Sequence, residues 1–114
     1  MKSSVLIAAG IDVNEGIDRF GGNKAIYEKF LNRFTAEPTF SELCLAIEND
    51  NTKEAFAAAH ALKGQSGNLS MNRLYDDLCP LVEELRCGSL ENAKQILQPV
   101  IQDYNAIIAE LTNQ

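Results

Sequence analysis

Residues 55–69 have the sequence AFAAAHALKGQSGNL, which predicts one long helix. In an α-helix, residues three or four positions apart lie on the same face. The positions that follow a 4-3-4-3 spacing, and that we expect to be buried, are Ala55, Ala59, Leu62, Ser66 and Leu69. Because this spacing also occurs at the seam of coiled coils, the segment is expected to pack lengthwise against other helices.

Helical periodicity also dominates the chain before this segment. Asn51 or Thr52 is expected to cap the helix, with Glu54 close behind as in a capping box. Pro38 disfavours a helical conformation at Glu37, so a separate helix should begin at that proline. Its inner face is expected to hold Phe40, Leu43, Cys44 and Ile47. An earlier helix should begin near residue 23, with a buried stripe of Ile26, Tyr27, Phe30, Leu31 and Phe34.

Two further helices are predicted after residue 69. The first has apolar residues at 4-3-4 spacing, namely Leu74, Leu78, Leu81 and Leu85. Residues 87–89, Cys-Gly-Ser, then predict a glycine stop followed by a serine N-cap. The last helix has an apolar stripe of Ala93, Leu97, Val100, Tyr104, Ile107 or Ile108, and Leu111. Pro80 and Pro99 lie inside these patterns, and each is expected to kink its helix unless it starts a new first turn.

These patterns predict an all-α fold. Short connections between amphipathic helices favour antiparallel neighbours, which gives an antiparallel up-and-down four-helix bundle with additional short N-terminal helices. The 114 residues, 46% of them apolar, suit a single domain. Within it, the glycine-rich residues 1–22 predict a short helix, a loop and a further half-turn, and residues 23–114 predict the helical bundle.

Composition excludes several classes of function. The net charge is −6, so binding to nucleic acid or to anionic membrane surfaces is not expected, because both depend on clustered cations. The apolar run of residues 5–9 is too short for a signal peptide or a membrane span. Cys44, Cys79 and Cys87 show no C-x-x-C spacing and, with one histidine, no recognised metal-ligand pattern. Buried thiols in a reducing cytoplasm are therefore expected.

The one histidine of the chain, His60, does not fit the buried face of its helix. At about 100° per residue it points roughly 140° from the centre of that face, so we expect it to face solvent. Lys63 follows three residues later, Gly64 four and Gly67 seven. Glycine inside a helix costs about 0.5–1 kcal/mol relative to alanine, so two glycines beside a histidine suggest that access matters more than stability. An exposed imidazole is largely uncharged at neutral pH and can attack phosphorus, while Lys63 can meet phosphoryl oxygens.

Each of these features also has a structural explanation. An isolated exposed histidine is usually a solvent-facing residue, a single lysine is usually a solvated charge, and helix glycines can allow close packing. The histidine, the lysine and the glycines together on one face favour a functional site. Docking of a partner is then expected at the flanking residues Phe56, Ala57, Gly67 and Asn68, with Leu69 as a further apolar contact.

Residues 60–69, HALKGQSGNL, resemble the signature H-x-L-K-G-x-[AS]-x-N-[LIV] of the histidine-containing phosphotransfer (HPt) domain of bacterial multistep phosphorelays. Residues 10–13, 16–17, 19–22 and Tyr27 resemble the usual lead-in of that family, and Phe30, Leu31 and Phe34 continue it. The resemblance therefore covers nearly the whole chain. Pro80 and Pro99 depart from it, since family members usually have continuous helix at these positions.

The resemblance implies a phosphocarrier without kinase or ATPase activity of its own. His60 would accept a phosphoryl group on Nε2 from the aspartate of a receiver domain and pass it to the aspartate of another receiver. Its partners would be response-regulator receiver domains and a hybrid sensor histidine kinase. Lys63 would stabilise the transferring group, and Gly64 would leave room for the receiver. No cofactor is expected on this chain, because Mg²⁺ would be held by the receiver.

A cytoplasmic, monomeric, stand-alone protein is expected, although a fragment of a larger kinase is the alternative. Other functional classes fit less well. The dimerisation domain of a sensor kinase also presents a helical histidine, but the next residue there is typically acidic and here is Ala61. A hydrolase would need Cys79 or Cys87 as nucleophile on the histidine's face, and the helix before residue 87 is patterned for the core. A helical adaptor that binds a signalling partner and never carries phosphate remains the main alternative.

Overall fold

The computed structural model describes residues 1–113, which form seven α-helices and no strand. The helices are α1 (Ser3–Ala8), α2 (Val13–Arg19), α3 (Lys24–Phe34), α4 (Thr39–Glu48), α5 (Thr52–Asn68), α6 (Asn72–Arg86) and α7 (Leu90–Thr112). Helix α5 packs between α4 and α6, α6 packs against α7, and α7 also contacts α4. Helices α4 to α7 thus form the predicted four-helix bundle, and α1 to α3 are the additional N-terminal helices.

The predicted apolar stripes form the core of the bundle. All five expected positions of α5 are buried, and the four leucines of α6 are at most 2% exposed. On α7 the buried positions are Ala93, Leu97, Val100, Ile107 and Leu111. Tyr104 is half-buried and stacks on Phe40 of α4, with ring centroids 3.8 Å apart. This contact ties the first helix of the bundle to the last.

The stripe predicted for α3 was too wide. Tyr27, Leu31 and Phe34 are buried, whereas Ile26 is 42% exposed and Phe30 is 37% exposed. Helix α3 lies on the outside of the four-helix bundle, so its neighbours cover only the narrow face that residues at i, i+4 and i+7 share.

The burial predicted for the cysteines was also wrong in part. Cys87 is exposed, and Cys44 and Cys79 are half-buried. Cys87 lies outside the leucine stripe, at the C-cap of α6, where no neighbouring helix covers it. All three thiols are free, as expected.

Helices α6 and α7 continue through Pro80 and Pro99. Both prolines are exposed. A proline inside a helix deprives the carbonyl four residues earlier of its N–H donor. Because that carbonyl lies on the same side of the helix as the proline, water can take the place of the lost donor here.

The break between α6 and α7 is the predicted glycine stop. Gly88 has a φ of +81°, which glycine adopts without a steric penalty. Its N–H donates to the Leu85 carbonyl, and the Ser89 N–H donates to the Glu84 carbonyl, both at 3.0 Å. These two bonds are the pair found in a Schellman motif. Ser89 occupies the N-cap of α7, but its side chain makes no capping hydrogen bond, contrary to the prediction.

Residues 1–22 contain two helices where one helix and a half-turn were predicted. Asp12 caps α2, because its side chain accepts a hydrogen bond from the Glu15 N–H at 3.1 Å. Gly16 inside α2 is buried against the ring of Tyr27. The missing side chain therefore lets α2 and α3 approach each other closely.

Replacing Gly16 by alanine should destabilise the fold, because the added Cβ would overlap the buried ring of Tyr27. Overpacking a filled core costs about 1–3 kcal/mol, which should appear as a lower midpoint of urea unfolding. Gly64→Ala is the matched control. An added Cβ there meets nothing within 4 Å in the described part of the chain, so this variant should gain about 0.5–1 kcal/mol from helix propensity. Shifts of the same sign in both variants would contradict the packing described for Gly16.

Asp77 of α6 and Asp103 of α7 form a carboxyl pair between these helices. Partial burial, followed by the hydrogen bond and the charge of Asp77, raises the pKa of Asp103 to about 6, and Arg73 opposes this shift. A raised carboxyl pKa means that the folded state holds a proton that the unfolded state releases. The pair therefore stabilises the fold fully only below the ordinary carboxyl pKa, and this stabilisation is lost as the pH rises through about 6.

Asp103→Asn should become increasingly more stable than the wild type as the pH rises from about 4 to about 8. The amide keeps a donor towards Asp77 and carries no charge. After allowance for solvent screening at this partly exposed position, the gain should be on the order of 1 kcal/mol. Thermal unfolding across this pH range measures it, with Asp76→Asn at an exposed position of α6 as the control. A pH-independent difference would show that the two carboxyls do not share a proton.

Candidate functional site

Helix α5, which carries His60, is fixed at its N-terminal end by the predicted cap. The Asn51 side chain accepts a hydrogen bond from the Glu54 N–H at 3.1 Å. The Asn51 N–H in turn donates to the Ala46 carbonyl of α4 at 2.8 Å. The cap therefore fixes where α5 begins and joins it to the helix before it.

The C-terminal end of α5 is held by α2 and α3. Ser70 takes a φ of +56°, and its N–H and that of Met71 donate to the Gly67 and Ser66 carbonyls. This conformation is unfavourable for a non-glycine residue, but Ser70 gains two long-range hydrogen bonds. Its hydroxyl donates to Glu15 at 2.8 Å, and its carbonyl accepts from the Asp12 N–H at 2.9 Å.

Tyr27 of α3 adds a third restraint at this end. Its hydroxyl donates to the Leu69 carbonyl at 2.7 Å in a buried position. Burial raises the pKa of Tyr27 well above its ordinary value, so the phenol stays neutral and remains a donor. Hydrogen bonds from α2 and α3 thus hold the C-terminal end of the helix that carries the histidine.

His60 is exposed on the outer face of α5, as its position on the helix predicted. Its ring is nearly parallel to that of Phe56 one turn earlier, with centroids 5.9 Å apart. The Arg86 guanidinium of α6 lies 5.1 Å from the centroid of the Phe56 ring. Within residues 1–113, His60 makes no hydrogen bond and no ion pair. Both imidazole nitrogens are therefore open to a molecule that approaches from solvent.

Lys63 lies next to the exposed face, with its ammonium against an aromatic ring. Its Nζ is 5.5 Å from the centroid of Tyr75 on α6, and it forms no ion pair with the part of the chain described. A cation–π contact at a partly exposed site is worth about 0.5–1 kcal/mol, so it positions the ammonium without neutralising it. The charge is available to an anion beside His60.

The two glycines of α5 serve different purposes. An added Cβ at Gly64 would meet nothing within 4 Å in residues 1–113, so the space beside this residue is open. At Gly67 an added Cβ would lie 3.1 Å from the Tyr75 ring. A side chain at Gly67 would therefore press on the Tyr75 ring, which supports the close-packing explanation for this glycine. Access for a partner depends on Gly64.

A depression of about 370 Å³ extends from Gly64 towards the C-terminal end of α5. We call it the glycine depression, and it is lined by Arg19, Lys63, Gly64, Gly67, Asn68, Asn72 and Tyr75. Of the predicted docking residues, Ala57 and Asn68 are exposed and Phe56 is half-buried. Leu69 is only 7% exposed and packs mainly in the core, so its docking role stays a prediction.

Sequence reasoning missed the residues that other helices bring to this face. Tyr75 and Arg86 belong to the same side of α6 and reach Lys63 and Phe56 respectively. Cys79, one turn after Tyr75, lies on that side of α6 too. It is half-buried and makes no hydrogen bond with His60, so the cysteine hydrolase gains no support. The antiparallel alignment of α5 and α6, had it been known, would have placed Tyr75, Cys79 and Arg86 on this side.

The face contains the elements of a phosphoryl acceptor: an open imidazole, an unneutralised ammonium one turn away and an unobstructed helix surface. Residues 1–113 contain no cluster of three or more His, Cys, Asp or Glu side chains placed to hold a metal ion. None of the helices in this part of the chain is long and apolar enough to cross a membrane.

Comparison with known proteins agrees with this geometry. A family model described as the Hpt domain matches residues 29–114, which includes α5 and all of its neighbours in the bundle. Neither the curated proteins nor the solved structures gave a match to the chain.

Proposed function

The chain belongs to the Hpt domain family, and on this premise we propose that His60 takes a phosphoryl group from a receiver aspartate and passes it to a second receiver. Domains of this family act in histidine phosphotransfer within phosphorelays, and they are phosphocarriers rather than kinases. The observation that carries the proposal is that His60, the one histidine of the chain, is exposed and has no hydrogen-bond partner among residues 1–113.

The proposed transfer is a displacement at phosphorus. The lone pair of the imidazole Nε2 forms the new P–N bond, and the P–O bond of the aspartyl phosphate breaks. The electron pair of that bond returns to the aspartate, which leaves as a carboxylate. The same steps in reverse pass the group to the next receiver. Mg²⁺, held by the receiver in this proposal, would neutralise charge on the phosphoryl oxygens, while this chain supplies the nucleophile and Lys63.

The cellular context of the transfer includes its phosphate source, its partners and its compartment. We propose a hybrid sensor histidine kinase as the source of phosphate, response-regulator receivers as partners, and a monomer in the cytoplasm. Three free thiols, one of them exposed, are compatible with a reducing compartment.

Lys63→Ala should slow phosphoryl transfer more than it weakens docking. The ammonium acts on charge at the reacting phosphorus, and one such contact is worth about 1–3 kcal/mol, or roughly a 5-fold to 150-fold change in rate. Single-turnover rates at saturating phosphorylated receiver measure this effect, and the receiver concentration at half-maximal rate measures docking. Lys94→Ala, an exposed lysine on α7, is the matched control. An increase in the half-saturating concentration alone would contradict the role given to Lys63.

The proposal is tested by incubating the purified chain with a panel of phosphorylated receiver domains and, separately, with ATP and Mg²⁺ alone. We expect at least one receiver to transfer its phosphoryl group and ATP alone to leave the chain unlabelled. Labelling by ATP alone would support a kinase, and failure with every receiver would support an adaptor.

A further inference from the structure

The charge of this acidic chain is unevenly distributed. Although the net charge is −6, residues 19–33 contain four cations and a single carboxylate. The cations are Arg19, Lys24, Lys29 and Arg33, all of them exposed, and we call them the cationic strip. A local excess of cations on an acidic protein favours association with an acidic surface.

Two members of the cationic strip, Arg19 and Arg33, line an open groove of about 770 Å³ between α3 and the C-terminal end of α5, and the lining also includes Glu37. We call this the aromatic groove. Phe20 and Phe30 stack in it with ring centroids 5.2 Å apart, and Phe34 and Leu69 also contribute to its lining. Phe30 lines the groove and is 37% exposed. The groove can therefore bury an apolar side chain of a partner.

Both arginines of the groove can donate N–H hydrogen bonds to a partner. Arg33 lies over Phe30, with its guanidinium carbon 5.3 Å from the ring centroid, and makes no ion pair in residues 1–113. Arg19 pairs with Glu15 at 3.5 Å, but both side chains are about half exposed. Such a surface pair is worth little, so Arg19 can turn to another carboxylate at small cost. Guanidinium groups bind carboxylates through two parallel hydrogen bonds.

The aromatic groove is continuous with the surface beside His60. Arg19 and Asn68 line both the groove and the glycine depression, and Lys63 and Gly64 line the depression. A protein domain that reaches the imidazole over Gly64 would therefore cover the groove in the same encounter.

We propose that Arg19 and Arg33, at the aromatic groove, select among receivers those that present an acidic side chain next to an apolar one. This inference rests on the proposed function and adds to it the chemistry of the preferred partner. The two arginines act on encounter and affinity, and they take no part in the reaction at phosphorus, which is left to His60 and Lys63. Charged groups at the edge of an interface typically affect association and its salt dependence in this way.

The test measures transfer from a panel of phosphorylated receiver domains whose surfaces around the phosphoaspartate range from acidic to basic. Initial rates as a function of receiver concentration give a half-saturating concentration and a maximal rate for each receiver. The variants are Arg19→Gln, Arg33→Gln and the double variant, with Lys94→Gln on α7 as the matched control. Because all three positions are exposed, the melting temperatures of the variants should match that of the wild type.

We expect the double variant to raise the half-saturating concentration of acidic-faced receivers about tenfold, while maximal rates stay within about twofold. Raising the salt concentration from about 50 to about 500 mM should weaken the wild type and affect the double variant little. If the wild type accepts phosphate but the double variant keeps the same half-saturating concentrations and the same order of receivers, the inference is overturned and the proposed function stands. If no receiver transfers to the wild type, both are overturned.

Discussion

His60→Gln should abolish phosphoryl uptake from every receiver that phosphorylates the wild type. The amide of glutamine has no lone pair of comparable nucleophilicity, and no second histidine exists in the chain to replace the lost one. Because His60 is exposed and makes no hydrogen bond or ion pair within residues 1–113, the substitution should leave the fold and the unfolding midpoint nearly unchanged. Phosphoryl transfer assays with radiolabelled receivers measure the loss directly.

The matched control is Lys53→Gln, a change at an exposed position of α5 two turns before the histidine. It should retain transfer. In cells, the same two variants distinguish a phosphocarrier from an adaptor. A phosphocarrier should lose its signalling output with His60→Gln, whereas an adaptor should keep it. Full signalling by His60→Gln would therefore contradict the account.

Gly64→Leu should reduce transfer by about 100-fold or more while making the fold slightly more stable. The Cβ of the new side chain would meet nothing in residues 1–113 within 4 Å, and leucine has a higher helix propensity than glycine. The same side chain would stand where the receiver must approach His60. A displacement of about 1 Å at the reacting atoms is enough to cost a factor of about 100 in rate.

Ala106→Leu, an exposed alanine on α7, adds similar bulk away from α5 and should leave transfer unchanged. Gly64→Ala should fall between the wild type and Gly64→Leu in transfer. Unchanged rates in Gly64→Leu would show that receivers do not approach over this residue. A lower melting temperature would instead show that Gly64 has a structural role that the open space does not reveal.

The bundle could be predicted from the sequence because its stripes are regular. The four leucines of α6 repeat every three or four positions, as do Ala55, Ala59, Leu62 and Ser66 of α5, and all of these residues are buried. The turn at Gly88 and the cap at Asn51 depend on local chemistry that is visible in a few residues. Prediction was less successful at α3, where an apolar stripe wider than the covered face left Ile26 and Phe30 exposed.

Only part of the candidate site could be predicted from the sequence. The position of His60 on its helix was enough to predict its exposure, since rotation about a helix axis depends only on residue number. The difference between Gly64 and Gly67 depends on Tyr75, which lies on another helix, so it required the register of α5 against α6. The aromatic groove is formed by residues from α2, α3 and α5 that lie far apart in sequence.

The central claim, that the exposed imidazole of His60 is the phosphoryl acceptor, is tested most directly by locating the transferred group. The chain is labelled by a phosphorylated receiver, digested at alkaline pH to preserve P–N bonds, and fragmented in a mass spectrometer. We predict one phosphoryl group, on His60, that is labile in acid and stable in base. A phosphoryl group on a serine, aspartate or cysteine, with His60 unmodified, would contradict the account.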